Sequence, residues 1–392
     1  MTLTEGQGER APVPRRAVPC MPTVWPHMLL PRRASPPVFP FDQPQLRYRY
    51  FARNAVWDAA QLLGLAGKEV LIPAYHHGVE LETLLAAGVK PVFFRVDSQM
   101  RCDFDDARRK LTPGIAALYL IHYAGFPQDQ AAARQLADFA GVPLIEDCAL
   151  SLLSRAGQVP LGATGDVSVF CLYKTLPVPN GGALLVRGRQ LREDSTHLAD
   201  VESPPLVSTA SHLAGSLLSN LELRLGPSGQ RVRQAMRSLS RWAVDRGGIE
   251  RVSTGTQHFD LRSVRLGMSF ASQAIIRNQD YPAIVERRRR NYFLLYAALR
   301  DIAPPVTGEL TSGVCPLFYP IRTRNKKQAM AQLLARGVET VDFWRVRHPA
   351  VSVGEFPEVD ALRAEVLELP VHQDLSPADA EHVAASVREV LA

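Results

Sequence analysis

The chain has 392 residues, of which 46% are hydrophobic and 21% charged, and its net charge is +6. That length suits one large α/β domain plus a smaller one, and the composition is that of an ordinary globular enzyme, not a disordered or fibrous chain. The basic excess is mild; it fits a basic-leaning soluble protein or attraction to an anionic small substrate, charge alone does not choose between them, and no nucleic-acid-binding pattern accompanies it.

Residues 1–45 read as a largely irregular N-terminal arm with no apolar segment of signal-peptide type. From there the pattern becomes regular. Residues 53–65 have helical periodicity, 70–73 are a short apolar run, 79–87 are helical again and 89–96 read as a strand. Residues 116–122 (AALYLIH) are continuously apolar, as a strand buried on both faces must be. A helix over 130–140 follows, then strands over 142–145, 167–172 and 182–186. Strands alternating with helices predict a mostly parallel sheet, whose ligands bind beyond the carboxyl ends of the strands.

Residues 188–260 break this rhythm. Two amphipathic stretches, 213–225 and 232–244, flank Gly226-Pro227-Ser228-Gly229 and read as a helical insertion. Its Arg-rich face (Arg231, Arg233, Arg237, Arg241) could lie on a membrane surface, but packing against the domain or a partner subunit is the preferred reading. Helices are expected over 269–278, 282–299, 326–336 and 377–391, with a strand over 318–321. The expected domains are thus 46–260, a large domain with an insertion over 188–260, and 261–392, a smaller α+β domain.

The five cysteines, Cys20, Cys102, Cys148, Cys171 and Cys315, are odd in number and form no CxxC pair. Neither a disulfide framework nor a zinc site is expected, and a reducing cytoplasm fits. No stretch is long and apolar enough to span a membrane. The adjacent His76 and His77 diverge in either helix or strand, so no metal is assigned to them. His122 reads as a core histidine or a substrate contact. The Arg287–Arg290 run reads as a solvated helix face plus packing.

Three segments carry the chemistry. Leu144-Ile145-Glu146-Asp147-Cys148-Ala149 puts a carboxylate at a strand end. Gly165 to Lys174 (GDVSVFCLYK) is a strand running out to a lysine, and Pro179-Asn180-Gly181-Gly182 is a tight turn. Pyridoxal-phosphate (PLP) chemistry needs such a set: a lysine to carry the cofactor and move a proton, a carboxylate at the ring nitrogen, and backbone N–H groups at a helix start for the phosphate.

Taken with GKEVLIPAY (67–75), AGVKPVFFRVD (87–97), LIEDCA (144–149), GDVSVFCLYKTLPVPNGGALLV (165–186), ERRRRNYFLLYAAL (286–299) and LPVHQDLSPADAEHV (369–383), the chain resembles the DegT/DnrJ/EryC1/StrS family of PLP-dependent sugar aminotransferases. The resemblance implies an α/β fold of the aspartate-aminotransferase type (fold type I). It implies that Lys174 is the Schiff-base lysine and Asp147 the partner of the pyridine nitrogen. Asn54 and Ala55 match the small residues beneath the phosphate, His77 the aromatic residue stacked on the ring, Ala149 the small residue beside it, and Cys171 the phosphate-binding serine. Arg265 matches a segment that reaches the neighbouring subunit's phosphate. The expected reaction moves an amino group from an amino acid, glutamate by resemblance, to a nucleotide-linked keto-sugar, in a homodimer with shared active sites. The chain departs from the family pattern at Leu150, where Gln or His is usual, at Asn180 in place of Glu, and at Arg53 in place of a glycine. A PLP enzyme of another reaction type, such as a dehydratase, and a non-catalytic relative are the alternatives; Lys174 argues against the first, because family dehydratases carry histidine there.

Overall fold

The computed structural model describes residues 17–30, 36–195, 198, 200–225, 259–342 and 344–391. Strand β1 (Leu46–Arg49) leads into α1 (Ala52–Leu62), then β2 (Glu69–Pro73), α2 (Val79–Ala86), β3 (Lys90–Phe94), α3 (Phe104–Arg109), β4 (Ile115–Ile121), α4 (Gln130–Ala140) and β5 (Leu144–Cys148). A small hairpin, β6 (Arg155–Ala156) and β7 (Val159–Pro160), precedes β8 (Val167–Cys171) and β9 (Gly182–Val186). Seven strands form one sheet in the order β1-β9-β8-β5-β4-β2-β3. Within it β9 alone runs against the others, pairing antiparallel with both β8 and β1. The mostly parallel sheet read from the sequence is therefore present.

The apolar runs explain the layering. β5, β8 and β9 are buried at every position, so helices must cover both faces. Local chemistry fixes where those helices begin and end. Asp129 caps α4 by accepting from the Ala132 N–H at 2.9 Å, and Gly141 closes it in the left-handed conformation at φ 66°.

One contact sets the height of α1 above the sheet. A Cβ added at Gly182 would stand 2.2 Å from the backbone carbon and oxygen of Phe51, so only glycine lets the start of α1 lie directly on β9. Gly182→Ala is expected to destabilise the fold by about 1–3 kcal/mol through this overpacking. Denaturant unfolding checks it; an unchanged midpoint would mean that α1 lifts off the sheet without cost.

Beyond β9 come α5 (Arg189–Asp194) and α6 (Leu206–Leu225). The predicted stretch 213–225 is the second half of α6. The stretch 232–244, with Arg231, Arg233, Arg237 and Arg241, lies outside the described residues. Leu213 and Leu217 pack against the β8–β9 core, and the Ser216 hydroxyl accepts the Val24 N–H at 2.8 Å, so this part of the insertion packs on the domain. Among the described residues no helix is long and apolar enough to cross a membrane.

The C-terminal part contains α7 (Phe270–Arg277), α8 (Tyr281–Leu299), β10 (Phe318–Arg322), α9 (Lys326–Ala335), α10 (Pro357–Glu365), β11 (Val366–Pro370) and α11 (Pro377–Leu391). β10 and β11 pair antiparallel, and with α8, α9 and α11 they enclose a separate core around Tyr292, Leu295, Tyr319, Leu369 and Val383. Ile275, Ile276, Tyr281 and Ile284 instead join the core over β8 and β9. The described part of the N-terminal arm is docked: Val18 bridges to Val338, and Asp374 accepts the Thr23 N–H at 2.6 Å.

Candidate active site

The carboxyl ends of β2, β5 and β8 and the start of α1 converge on a cavity of about 390 Å³. Phe51, Ala52, Arg53 and Val56 line it from α1, His77, Val79 and Glu80 from the β2–α2 turn, Asp147, Ala149 and Leu150 from the end of β5, and Cys171, Tyr173 and Lys174 from the end of β8. His212 and Ser216 of α6, Met21 of the arm and Trp344 also line it.

Asp147 stands at the register where β5 meets Ile121 of β4 and Val169 of β8. Its Oδ2 accepts the Tyr119 O–H at 2.7 Å and its Oδ1 accepts the Ala149 N–H at 2.8 Å. Burial pushes the carboxyl above its usual range, against the pull of those two donors and of the Lys174 charge. The neighbouring Glu146 faces the other side of the strand. It accepts His122 Nε2–H at 2.9 Å, Gln130 Nε2–H at 2.6 Å and the Gly162 and Gly165 N–H groups at 2.7 Å each. Burial opposes its charge, but these donors prevail and hold the carboxyl below its usual range. His122, Glu146 and Cys148 bring ligand-type atoms within 4.8 Å of one another. The hydrogen bonds of His122 and Glu146 account for that grouping as a pin on the end of β5. His122 is thus a core histidine, its Nδ1 accepting the Gln128 N–H at 3.0 Å.

Lys174 lies in the turn just after β8. The next carbonyl, Thr175, accepts from Arg288 Nη2 and from Gln373 Nε2, each at 3.0 Å, so the turn is tied to α8 and to the segment after β11. Arg288 is buried while Arg287 is exposed, so the arginine run is a solvated face plus packing.

His76 and His77 diverge. His76 is fully buried and stacks on Phe93, with ring centroids 5.7 Å apart at 18°. His77 faces the cavity. Burial first, then the Lys174 charge, hold its pKa down at about 3, so its ring is neutral at pH 7. Glu80 accepts the His77 N–H at 2.7 Å, and burial and the Asp147 charge push its carboxyl up.

Not every predicted residue reaches the cavity. The Asn54 side chain is buried but turned away, donating from Nδ2 to the Ser263 carbonyl, and Ala55 sits in the core between α1 and the sheet; neither lines the cavity. Arg265, expected to reach a neighbouring subunit's phosphate and not this cavity, is on the surface, its side chain 58% exposed and paired with Asp200 at 2.6 Å. Lys174, Asp147, His77, Ala149 and Cys171 are brought together. Sequence reasoning passed over Glu80, Tyr119 and Tyr173 as site residues. Tyr119 sits in an apolar strand and reads as core, and nothing local marks its bond to Asp147.

The sequence pattern of the DegT/DnrJ/EryC1/StrS aminotransferase family matches residues 54–204. The dTDP-3-amino-3,4,6-trideoxy-alpha-D-glucose transaminase of Streptomyces venezuelae is 25% identical over 353 residues, 86% of this chain and 81% of that protein. The chain is therefore similar to members of the DegT/DnrJ/EryC1/StrS aminotransferase family. GDP-perosamine synthase from Vibrio cholerae is 30% identical over 131 residues, 32% of this chain; the match spans only 36% of that protein's length. Among solved structures, the aminotransferase TlmJ from Streptoalloteichus hindustanus superposes with a TM-score of 0.62 at 25% identity, covering 88% of this chain and 86% of that one.

The cofactor of the DegT/DnrJ/EryC1/StrS family is PLP, and the residues at the ring end of the cavity suit it. A protonated ring nitrogen answers a buried carboxylate that burial alone disfavours, which is the state of Asp147. A neutral imidazole offers an uncharged face for stacking, and Ala149 on the same wall leaves room beside a flat ring.

Proposed function

We propose that this chain is a PLP-dependent aminotransferase. It moves an amino group from an amino acid, glutamate by family resemblance, to a keto-sugar, nucleotide-linked as in several relatives. It works as a homodimer, with residues 46–260 carrying the cofactor, 261–392 the smaller domain and 1–45 the arm. The observation that carries this reading is the meeting of Lys174 and Asp147 in one cavity at the carboxyl edge of the sheet.

When bound, PLP supplies an aldehyde that takes the amine and a ring that accepts electrons. The chain's own residues have the remaining tasks. Lys174 Nζ would take the proton from the donor's α-carbon and deliver it to the cofactor's aldehyde-derived carbon, and would run the move in reverse for the acceptor. Asp147 keeps a negative charge at the ring-nitrogen end, positioned by the Tyr119 O–H and the Ala149 N–H. The Tyr119 phenol is pushed well above its usual range, first by burial and then by the Asp147 charge, so it remains a donor. His77, neutral, adds no competing charge.

Two assays test this. Release of the keto acid from glutamate, followed by amino-sugar formation from a panel of nucleotide-linked keto-sugars, is the expected activity. A cofactor-loaded protein that releases keto acid from no amino donor would overturn it. Asp147→Asn is expected to keep the cofactor's visible absorbance while turnover falls on the order of 100-fold, the size of a lost electrostatic partner at a reacting centre. Unchanged turnover in that variant would remove Asp147 from the mechanism.

A further inference from the structure

The phosphate end of the cavity is furnished differently from the ring end. Asn54 and Ala55, which family resemblance puts under the phosphate, are turned elsewhere. Cys171, in place of the serine, is a buried thiol whose proton is held on by burial, so it offers a weak donor and no charge. Arg53, standing where the family has glycine, does line the cavity.

Its surroundings fix how it is presented. The guanidinium carbon sits 4.2 Å from the centroid of the Phe51 ring, which also lines the cavity. Phe51 meets Tyr173, the neighbour of Lys174, edge to face at 5.9 Å. The Phe51 backbone is pressed on Gly182, so the platform cannot sink toward the sheet. Asp260, a carboxylate whose charge acts on Arg53, is itself held by Arg262 at 2.9–3.2 Å. The cavity is lined by Asp147 and Glu80 on β5 and α2, with the Lys174 charge acting on both, and by a guanidinium on the first turn of α1. A cofactor with a cationic ring nitrogen at one end and a phosphate at the other matches that arrangement.

We infer that Arg53 is the residue of this chain that receives the cofactor's phosphate, a charged fork replacing the family's small residues and hydroxyl. A guanidinium matches two phosphate oxygens with parallel N–H donors, and a phenyl face beneath it holds the fork in plane. Its position at the start of α1 adds the favourable end of the helix dipole. Burial disfavours the arginine's charge, a cost that a bound anion offsets.

The inference rests on the proposed cofactor, so its test uses two ligands. The protein is titrated with PLP and with pyridoxal, which has the same ring and aldehyde but no phosphate, and uptake is read from visible absorbance. The wild type is expected to prefer PLP strongly. In Arg53→Gln the affinity for PLP is expected to fall about 10- to 100-fold, the worth of a charge-assisted pair, while that for pyridoxal changes less than about 3-fold. Arg53→Lys, which keeps the charge and loses the fork, is expected between the two. A wild-type preference for PLP retained in Arg53→Gln, or equal losses for both ligands, would overturn the inference. If Arg53→Gln fails to fold, Arg53→Lys decides alone: a PLP-over-pyridoxal preference undiminished from wild type overturns it. A wild type that takes up neither ligand would overturn the cofactor assignment itself, and this inference with it.

Discussion

Lys174→Ala is expected to lower amine transfer by about 10⁴-fold or more, because removing the group that carries the covalent and proton-transfer work of an active site costs that much or more. The loss is chemical and leaves the fold standing. Lys174 is only partly buried, in a turn whose backbone is fixed by other groups: the Thr175 carbonyl keeps its donors from Arg288 and Gln373. Truncating its side chain empties cavity wall and leaves the core packed, so unfolding midpoints are expected to correspond to wild type within about 1 kcal/mol. The visible absorbance of bound cofactor is expected to disappear. Lys174→Arg is expected to rescue nothing, because a guanidinium does not give up a proton in this pH range. Turnover of more than about 1% of wild type in either variant, measured against the roughly 10⁴-fold loss expected for the alanine, would mean that another group carries the chemistry.

What could be read from the sequence divides along physical lines. The buried parallel strands were legible because burial on both faces forces an apolar run, as in β4, and α4 because Asp129 and Gly141 mark its ends. β1 (LRYR) was not legible: two of its four residues are arginines, and it is a strand because Leu46 to Arg49 pair with β9. α3 is six residues, too short for a periodic signal. The ring end of the site was legible because Asp147 and Lys174 sit at the ends of apolar strands and the family resemblance adds His77; the three lie at or just beyond the carboxyl ends of β5, β8 and β2. The phosphate end was not. Arg53 and Asn54 are adjacent on one helix, and only the seating of α1 on Gly182 decides that Arg53 faces the cavity while Asn54 faces Ser263. Glu80 was hidden for another reason: an acid in the first turn of a helix reads as a partner for the helix dipole, and the turn after β2 swings it into the site.

Arg288→Met is expected to be the most destabilising of these changes, by about 3–5 kcal/mol, because it strips donors from buried acceptors that water cannot reach. The guanidinium donates to Gln373 Oε1 at 2.8 Å, to the Pro316 and Leu317 carbonyls at 3.2 Å each and to the Thr175 carbonyl at 3.0 Å. These acceptors lie on the approach to β10, after β11 and beside Lys174, so one side chain of α8 joins the C-terminal part to the lysine turn. Burial works against its charge, and the carbonyl dipoles are what offset that cost. A lysine can present its charge to that point but not a planar fork in several directions, so Arg288→Lys is expected to recover less than half of the loss. Arg287, one position earlier and exposed, supplies the control: Arg287→Met is expected within about 0.5 kcal/mol of wild type. Because Thr175 follows Lys174, the surviving folded fraction of Arg288→Met is also expected to show a shifted visible absorbance and a lower kcat with KM little changed. Equal losses in the Arg287 and Arg288 variants would mean that the helix is sensitive to the run as a whole, and that Arg288 has no distinct hold on the turn.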